Sequence, residues 1–383
     1  MIAAVLRELF PGETRVALVP AVVPSLTKAG LEIVVEAGAG LAAGYRDDEY
    51  AAKGARVVPS RQEALRAADI LLAVRAAGAA GDAAPRDIDQ LRAGQVVIAM
   101  ADPLGSPRAV EPLAAKGAAL FALELLPRIT RAQSMDVLSS MATVSGYRAV
   151  LLAAVELPRM FPMLMTAAGT ISAAKVFIMG CGVAGLQAIA TARRLGGLVS
   201  ANDIRPAVKE QVHSLGGKFV ELPLDTSAAE DKGGYAKQMS DEFLRKQREL
   251  IARTIAESDV VITTAAVPGK KAPILVTREM VEGMAPGSVV VDVAAERGGN
   301  CELTRPGETI VHGGVRILGP TNLPAQSPYH ASQMYAKNIA TFLLNMVKNG
   351  QIAINLEDEI VRETLVARDG QIVHPRVKEA LGA

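Results

Sequence analysis

Short runs of apolar and β-branched residues alternate with helix-like stretches along almost all of this 383-residue chain. The alternation is typical of parallel βαβ units, because each parallel strand needs a crossover helix that packs on the sheet. Glu32–Glu36 and Val96–Met100 predict strands of a first set, and Lys175–Met179 and Val260–Thr263 predict strands of a second. The sequence therefore predicts an α/β fold with two open, mostly parallel sheets, each flanked by helices.

Two longer helical patterns, near residues 135–159 and 332–348, separate and follow the second set of strands. A hairpin signal at Asp369-Gly370 then suggests that the tail returns to the first domain. We expect a discontinuous first domain of residues 1–136 plus 330–383. The second domain, residues 137–329, is expected to be inserted into it.

The strongest local signal is Gly-Cys-Gly-Val-Ala-Gly at residues 180–185, between an apolar strand and an Ala-rich helical pattern. Gly180 permits a tight turn, Gly182 lets the backbone approach a pyrophosphate, and Gly185 lets helix and strand pack closely. Asp203 ends the next predicted strand, where a carboxylate can accept hydrogen bonds from an adenosine ribose. The second domain is therefore predicted to be a Rossmann domain that binds NAD(H).

Three features around this turn extend the site or leave alternatives open. Asp203 disfavours a 2′-phosphate and so favours NAD, whereas Arg205 could accept that phosphate and so allow NADP. Cys181 is either a redox thiol or a small buried residue. Thr264 and Ala265 follow a predicted strand at the sheet edge where open sheets bind ligands, so both join the predicted site.

The polar segment 127–140 joins the first sheet to the first long helix. Its Arg128, Gln133, Asp136 and Ser139 offer convergent donors and acceptors for a ligand. A purely structural role is the alternative, with Asp136 as a helix N-cap and Arg128 in a local ion pair.

A second polar segment, residues 225–236, interrupts the Rossmann pattern between a strand and a helix. Gly233 and Gly234 supply a hinge, and Tyr235 is predicted to cover a bound nucleotide, as a lid does. A flexible surface insertion without a role in binding is the alternative.

Composition excludes several classes of function. The 41 Lys and Arg residues balance 40 Asp and Glu residues, so no positive field favours nucleic acid, and no Trp is present for base stacking. Two Cys residues are too few for a disulfide framework or a Cys-rich metal site. The apolar stretch 149–164 is broken by charges and prolines, so we expect no membrane span. No HExxH motif and no paired Cys/His ligand spacing occurs in the sequence, so we expect no metal.

The chain has four histidines, and the first domain contains none before its C-terminal return. A dehydrogenase that acts on an alcohol or amine normally needs a general acid or base at its substrate. Direct hydride transfer between two nicotinamides moves no substrate proton and requires positioning and exclusion of water. The scarcity of histidines is therefore consistent with direct hydride transfer.

Taken together, these segments resemble the NAD(H)-binding component of proton-translocating NAD(P) transhydrogenases over essentially the whole chain. The matching stretches are residues 11–20, 127–140, 165–170, 180–196, 209–217, 233–237 and 298–301. The sibling alanine dehydrogenases share the glycine motif and the stretch at Arg15, so alanine dehydrogenase is the alternative. Their substrate-handling Lys and His have no counterpart here, since the corresponding neighbourhoods contain Arg75 and Asp102. A non-catalytic NAD-sensing module is a third possibility.

The resemblance implies roles for individual residues. Gln133 would lie where two nicotinamide ribosyl groups meet, Arg128 and Ser139 would orient the nicotinamide, and Asp136 would fix the loop through Arg128. Tyr235 would close over the NAD(H). The pyrophosphate would be held by Gly180, Gly182, Val183, Ala184 and Gly185.

The resemblance also implies an assembly. NADP(H) would bind on a partner subunit, and membrane-spanning subunits would couple hydride transfer to proton translocation. The chain would form a homodimer, lie on the cytoplasmic face of the membrane through its partners, and catalyse little alone.

Overall fold

The computed structural model describes residues 1–79, 85–221, 241–266, 269 and 271–382. It divides into two compact units. Unit 1 consists chiefly of Met1–Val144 and Pro324–Ala383, and unit 2 chiefly of Ser145–Val267 and Lys271–Leu323. The sequence-based boundaries were 136/137 and 329/330. The first division instead falls inside one continuous helix, because its first turns contribute to the core of unit 1 and its later turns to that of unit 2.

Unit 1 begins with six parallel strands. They are β1 (Ile2–Val5), β2 (Glu32–Glu36), β3 (Arg56–Val58), β4 (Ile70–Arg75), β5 (Val96–Met100) and β6 (Ala119–Ala122). The helices among and after them are α1 (Val23–Lys28), α2 (Asp47–Ala52), α3 (Arg61–Ala67), α4 (Pro85–Gln90), α5 (Glu111–Ala115) and α6 (Val137–Glu156). The strand order β3-β2-β1-β4-β5-β6 is that of a doubly wound sheet.

Unit 2 repeats this order after a small hairpin of β7 (Leu164–Thr166) and β8 (Gly169–Ile171). Its sheet contains β9 (Lys175–Met179), β10 (Leu198–Asn202), β11 (Lys218–Phe219), β12 (Val260–Thr263), β13 (Val289–Asp292), β14 (Thr309–His312) and β15 (Val315–Leu318). Its helices are α7 (Val183–Arg194), α8 (Lys209–Ser214), α9 (Asp241–Ala256) and α10 (Arg278–Glu282). The order is β11-β10-β9-β12-β13-β15-β14, with β14 an antiparallel edge strand.

The C-terminal segment completes unit 1. It comprises α11 (Pro328–Met346), the short pair β16 (Val347–Lys348) and β17 (Gln351–Ile352), α12 (Glu359–Thr364), β18 (Leu365–Arg368), β19 (Gln371–Ile372) and α13 (Pro375–Leu381). Strand β18 pairs antiparallel with β6 and with β19, which extends the sheet to eight strands. The predicted hairpin turn is present, with positive φ at Asp369 and Gly370.

Each sheet has an apolar cluster on both faces, which explains the nearly continuous apolar strands. Helix α11 covers one face of unit 1, where Phe342 meets Phe121 edge to face with ring centroids 5.7 Å apart. The predicted α/β class with two mostly parallel sheets is confirmed.

One helix in the described part of the chain, α6, is long and apolar enough to cross a membrane by length and composition alone. Its Ala149, Val150 and Ala153 are fully buried in the core of unit 2. A core helix of a water-soluble domain passes the same test, so the finding is weak. The apolar stretch 149–164 is not one helix, because α6 ends at Glu156.

Candidate functional site

The carboxyl ends of β9 and β12 meet where the strand order of unit 2 reverses, which is where open α/β sheets bind ligands. Gly180 follows β9 with φ of +94°, a conformation that favours glycine. A Cβ there would lie 2.9 Å from Thr264 Oγ1 and 3.2 Å from the backbone N of Ala265. Thr264 Oγ1 also donates a 2.9 Å hydrogen bond to the carbonyl of Gly180. The structure thus brings the predicted Thr264 and Ala265 against the glycine turn.

The other two glycines of the motif differ in their surroundings. A Cβ on Gly185 would lie 1.8 Å from the carbonyl oxygen of Gly180, so only glycine allows α7 to approach the turn. A Cβ on Gly182 would have nothing within 4 Å. Gly182 caps α7 without a side-chain hydrogen bond, and no acidic residue occupies the first turn, which contains Val183 and Ala184. The uncapped N–H groups and the open face at Gly182 fit a pyrophosphate.

Asp203 lies beside this turn, as predicted. Its Oδ2 accepts a 2.7 Å hydrogen bond from the backbone N–H of Cys181. Arg205 donates to the same carboxylate from its backbone N, from Nε and from Nη2, at 2.8, 3.0 and 2.9 Å. Although burial alone would raise it, the pKa of Asp203 is lowered by the hydrogen bonds from Arg205 and Cys181. The carboxylate is therefore ionised at neutral pH.

Cys181 is buried, and burial together with the Asp203 charge raises the pKa of its thiol to about 12. A thiol with that pKa carries almost no thiolate at neutral pH. The structure thus favours the small buried residue over the redox thiol.

A buried network that the sequence analysis missed supports Ala265. The Asn300 side chain accepts a 3.0 Å hydrogen bond from Ala265 N and donates to Ala265 O at 2.8 Å. Asn300 is fully buried and also donates to the carbonyl of Pro273 at 2.7 Å. Asn300 therefore fixes the backbone that follows β12.

Asp292, at the end of β13, holds Asn300 in turn. Its fully buried carboxylate accepts hydrogen bonds from the backbone N–H groups of Ala294, Asn300 and Cys301. The hydroxyls of Thr263 and Thr304 donate to the same carboxylate. The sequence signal for this network was available, since an acid ends a buried strand shortly before a Gly-Gly-Asn-Cys run.

Helix α6 packs against the start of α7 through Gly146. A Cβ on Gly146 would lie 2.0 Å from the carbonyl oxygen of Ala184 and 2.9 Å from its carbonyl carbon. Because Ala184 belongs to the first turn of α7, this glycine determines how closely α6 approaches the candidate pyrophosphate site.

Gly146→Ala is expected to destabilise the protein, although alanine in a helix normally stabilises it by about 1 kcal/mol relative to glycine. The backbone of α7 must move to admit the methyl group, at a cost of about 2–3 kcal/mol. We expect a lower unfolding midpoint and roughly tenfold weaker NADH binding. Ala154→Gly, also in α6, should lower the midpoint modestly and leave NADH binding unchanged. A stabilised Gly146→Ala protein would contradict the contact.

In unit 1, the predicted residues of segment 127–140 come together only in part. Asp136 accepts hydrogen bonds from Ser139 N at 2.9 Å and Ser139 Oγ at 2.6 Å, so it caps the start of α6. The expectation that Asp136 fixes the loop through Arg128 was wrong for this structure. Arg128 is exposed and makes no hydrogen bond or ion pair with Asp136 in the described residues. Asp136 directly precedes α6, so its carboxylate accepts a hydrogen bond from a free N–H group in the first turn of that helix instead of pairing with Arg128.

Gln133 is exposed within a 3₁₀ helix, Thr130–Met135, that is held at both ends. Arg131 forms a two-pronged ion pair with Asp358, the N-cap residue of α12. Asn338 of α11 donates a 2.8 Å hydrogen bond to the carbonyl of Ser134. These contacts present Gln133 on a rigid backbone. Gly234 and Tyr235, the predicted lid residues, lie outside the described residues.

Two buried carboxyl groups lie at the carboxyl edge of the unit 1 sheet. Burial raises the pKa of Glu8 and of Glu124 to about 7, although backbone N–H groups donate to both. Glu124 Oε1 accepts hydrogen bonds from Ala101 N and Asp102 N, both at 2.7 Å. Its Oε2 is buried without a hydrogen-bond partner in the described part of the chain. Sequence analysis missed both groups.

Glu124→Gln is expected to stabilise the protein at pH 8 and to change little at pH 5. The pKa of Glu124 in the folded protein is about 7, above the ordinary value of 4.5. The folded protein therefore loses stability as pH rises from about 4.5 to 7, because the buried carboxyl group must ionise. The amide keeps Oε1 and removes the titration, a gain on the order of 2–3 kcal/mol at pH 8. Unfolding midpoints at both pH values test this. The half-exposed Glu63→Gln serves as control, and an equal effect of Glu124→Gln at both pH values would refute the prediction.

Both parts of the chain match domains of a known protein family. Residues 4–145 match the family model "Alanine dehydrogenase/PNT, N-terminal domain", and residues 149–375 match "Alanine dehydrogenase/PNT, C-terminal domain". The chain is 46% identical over 375 residues to an NAD(P) transhydrogenase alpha subunit of Rhodospirillum rubrum, with 97% of each chain covered.

A solved transhydrogenase structure from Sinorhizobium meliloti superposes with a TM-score of 0.87 at 49% identity, covering 97% of this chain and 100% of that one. The alanine dehydrogenase of Bacillus subtilis is 27% identical, with 100% of this chain and 95% of that protein covered. The chain therefore belongs to the alanine dehydrogenase/PNT family, on the side of its NAD(P) transhydrogenase alpha subunits.

Proposed function

We propose that the chain is the NAD(H)-binding subunit of a proton-translocating NAD(P) transhydrogenase. Hydride passes directly between NAD(H) held here and NADP(H) held by a partner subunit. The observation that carries the proposal is the glycine turn of unit 2, where Gly180 and Gly185 allow a backbone approach that a Cβ would block. The much higher identity to transhydrogenase subunits than to alanine dehydrogenase supports this reaction.

Within the proposed site, the uncapped first turn of α7 and the open face of Gly182 hold the pyrophosphate. Asp203 accepts hydrogen bonds from the adenosine ribose, and Arg205 controls access to it. Thr264 and Ala265 line the floor behind the turn, supported by Asn300. The residues that bind the pyrophosphate are Gly180, Gly182, Val183, Ala184 and Gly185.

At the nicotinamide end, we assign Arg128 and Ser139 to orienting the ring. Gln133 acts where the two nicotinamide ribosyl groups meet, and its exposure on an anchored 3₁₀ helix supports that role. Asp136 acts by capping α6 and holding Ser139. Gly234 and Tyr235 remain the predicted lid.

Bound NAD(H) supplies the hydride, so the chain needs to position the cofactor and exclude water. No general acid or base is required. Of the two histidines of unit 2, His312 contacts Glu282 at the surface and His213 lies on α8. His374 is buried at the start of α13.

Alanine dehydrogenase activity is the alternative, and the absence of that family's substrate-handling Lys and His from the neighbourhoods of Arg75 and Asp102 argues against it. Arg15 is compatible with both readings. In that family the corresponding arginine would hold the substrate carboxylate. Here Glu13 accepts hydrogen bonds from Arg15 Nε at 2.7 Å and Nη2 at 2.6 Å, and both side chains are buried. Glu13 therefore engages one edge of the Arg15 guanidinium, formed by Nε and Nη2.

The proposed assembly includes an NADP(H)-binding subunit and membrane-spanning subunits that couple hydride transfer to proton translocation. The R. rubrum relative is itself named as a subunit, which supports the existence of partner chains. We place this chain on the cytoplasmic side of the membrane, attached through those partners.

We further propose a homodimer. Met165 on the β7–β8 hairpin and Val155 near the end of α6 are each 81% exposed, and Met163 is 61% exposed. Residues 163–174 contain no charged side chain. An isolated two-stranded hairpin is marginal in water, and a self-complementary apolar surface suits a two-fold contact. Light scattering should give the mass of two chains.

One assay tests the reaction. The purified chain is mixed with an NADP(H)-binding transhydrogenase domain, NADH and an NADP⁺ analogue, and analogue reduction is followed. We expect hydride transfer only in the mixture. Activity with alanine and NAD⁺ alone would favour alanine dehydrogenase, and NADH binding without transfer would favour an NAD-sensing module.

Gln133→Asn should slow this transfer at least tenfold while NADH affinity stays within about threefold. The shorter side chain keeps the amide but withdraws it from the proposed meeting point of the two ribosyl groups, which affects the transition state rather than ground-state binding. Parallel NADH titrations and transfer assays check the prediction. Equal losses of rate and affinity would contradict the role.

A further inference from the structure

A closed ring of hydrogen bonds joins the 3₁₀ helix Thr130–Met135 to the C-terminal segment of unit 1. Arg131 donates from Nη1 and Nη2 to the two carboxylate oxygens of Asp358. Asn345, in the last turn of α11, donates from Nδ2 to Asp358 Oδ2 at 3.0 Å and accepts from Arg131 Nη1 at 3.1 Å. Each of the three side chains therefore bonds to the other two.

This ring contributes to geometry more than to stability. The side chain of Arg131 is 52% exposed and that of Asp358 is 18% exposed, and an ion pair so accessible to water adds little to the free energy of folding. Two parallel hydrogen bonds nevertheless fix the direction of a guanidinium. Hydrogen bonds from Arg131 and Asn345 hold the pKa of Asp358 well below its ordinary value, so the ion pair persists throughout the neutral range.

The 3₁₀ helix needs support from outside itself. It has six residues, whereas runs longer than about four are uncommon because 3₁₀ hydrogen bonds have poorer geometry. With three residues per turn, side chains at i and i+3 share an edge. Ala132 and Met135 share the edge that is buried in the core of unit 1. Thr130 and Gln133 share another edge, and both are exposed.

The backbone on either side of Gln133 is tied to the C-terminal segment. Arg131, two residues earlier, joins the ring with Asp358 at the N-cap of α12. Ser134, one residue later, accepts the 2.8 Å hydrogen bond from Asn338 of α11 through its carbonyl. The position of the exposed edge that carries Gln133 is therefore set by residues more than 200 positions away in the chain.

We propose that Arg131 and Asp358 are positioning residues for hydride transfer, because their ring holds Gln133 where the two nicotinamide ribosyl groups meet. The inference rests on the proposed function and extends it to two residues that touch neither nucleotide. Reacting groups must be held in a narrow range of geometry, so a small displacement of Gln133 slows the transfer step. NADH binding depends chiefly on the glycine turn of unit 2 and is largely independent of the ring.

Two variants open the ring from opposite sides. Asp358→Ser removes the carboxylate but leaves a good N-cap, which matters because Asp358 Oδ1 also accepts a 2.9 Å hydrogen bond from Ile360 N in α12. Arg131→Met removes the guanidinium and keeps an unbranched side chain. For each variant we expect hydride transfer at least tenfold slower, NADH affinity within about threefold of wild type, and an unfolding midpoint within a few degrees of it.

Amide hydrogen exchange in the chain without nucleotide provides a readout that is independent of catalysis. Within and just after the 3₁₀ helix, Ala132 N donates to the carbonyl of Ile129 and Asp136 N to that of Gln133. Both amides should exchange at least tenfold faster in Asp358→Ser and in Arg131→Met, because the helix opens more often once it is released.

The double variant and a control separate positioning from direct contact. If both residues act through one ring, Asp358→Ser/Arg131→Met should be no slower than the slower single variant. Arg46→Met removes a guanidinium from the exposed ion pair with Asp48, so it makes the same change in net charge elsewhere in unit 1. Its transfer rate and exchange should equal those of wild type.

Several results would overturn the inference. Wild-type exchange or a wild-type transfer rate in Asp358→Ser would show that the ring does not hold Gln133. Rate losses that multiply in the double variant would mean that Arg131 touches a nucleotide or the partner directly, and an equal loss of NADH affinity and rate would indicate a role in binding. If wild type itself transfers no hydride, the proposed function fails, whereas normal wild-type transfer with any overturning result refutes only the positioning role.

Discussion

Gly185→Ala is expected to abolish NADH binding, with a loss of at least a hundredfold in affinity. The added Cβ would lie 1.8 Å from the carbonyl oxygen of Gly180 and 2.9 Å from its carbonyl carbon, so backbone must move on one side of the turn. Such overpacking against backbone costs about 3 kcal/mol. The N–H groups of α7 then no longer point at the pyrophosphate. Thermal unfolding and NADH titration measure the two effects.

Gly182→Ala is the matched control, because it adds the same methyl group two residues from the start of the same turn. Nothing lies within 4 Å of that Cβ, and Gly182 has an ordinary φ of −76°. We expect an unchanged unfolding midpoint and at least tenfold weaker NADH binding, since the methyl group stands on the open face. Wild-type NADH affinity in Gly182→Ala would place the pyrophosphate elsewhere, and a stable, NADH-binding Gly185→Ala would refute the packing argument.

Asp292→Asn is expected to destabilise unit 2 by about 3 kcal/mol, because buried donors lose their acceptor. The two Thr hydroxyls can reverse their hydrogen bonds, but the backbone N–H groups of Ala294, Asn300 and Cys301 cannot. Whichever way the amide is oriented, its NH₂ faces at least one of those N–H groups. Because Asn300 holds Ala265, NADH should also bind more weakly.

Unfolding midpoints and NADH titrations check the Asp292 prediction. Asp48→Asn, at an exposed ion pair with Arg46, makes the same chemical change on the surface and should leave both values unchanged. An Asp292→Asn protein as stable as wild type would show that the network relaxes, which would contradict its role in holding the backbone after β12.

Much of the fold was predictable where local sequence decides the structure. The bounds of β2, β5, β9 and β12 agree with the sequence-based strands. These strands are buried on both faces, so an uninterrupted apolar run between turn residues identifies them without knowledge of their partners. Strands β7, β8 and β14 were missed, because each is an antiparallel or edge segment whose existence depends on its pairing partner.

The candidate site divides in the same way. The glycine turn and Asp203 were predictable, because positive φ at Gly180 and a carboxylate after the next strand are local requirements of the motif. The engagement of Asp203 by Arg205 was not, since the sequence equally allowed Arg205 to point at a 2′-phosphate. Asp136 illustrates the same limit, because a cap and a partner for Arg128 were both compatible with its position.

The sequence by itself determined the alternation of strands and helices, the glycine turn and the likeness to a transhydrogenase subunit, because each is written in neighbouring residues. Only the tertiary structure decided which distant groups meet. Gly146 lies against Ala184, Asn300 against Ala265, and Asp292 against donors from three segments. Burial gives these contacts their weight, because a backbone clash or an unpaired polar group has no water to relieve it.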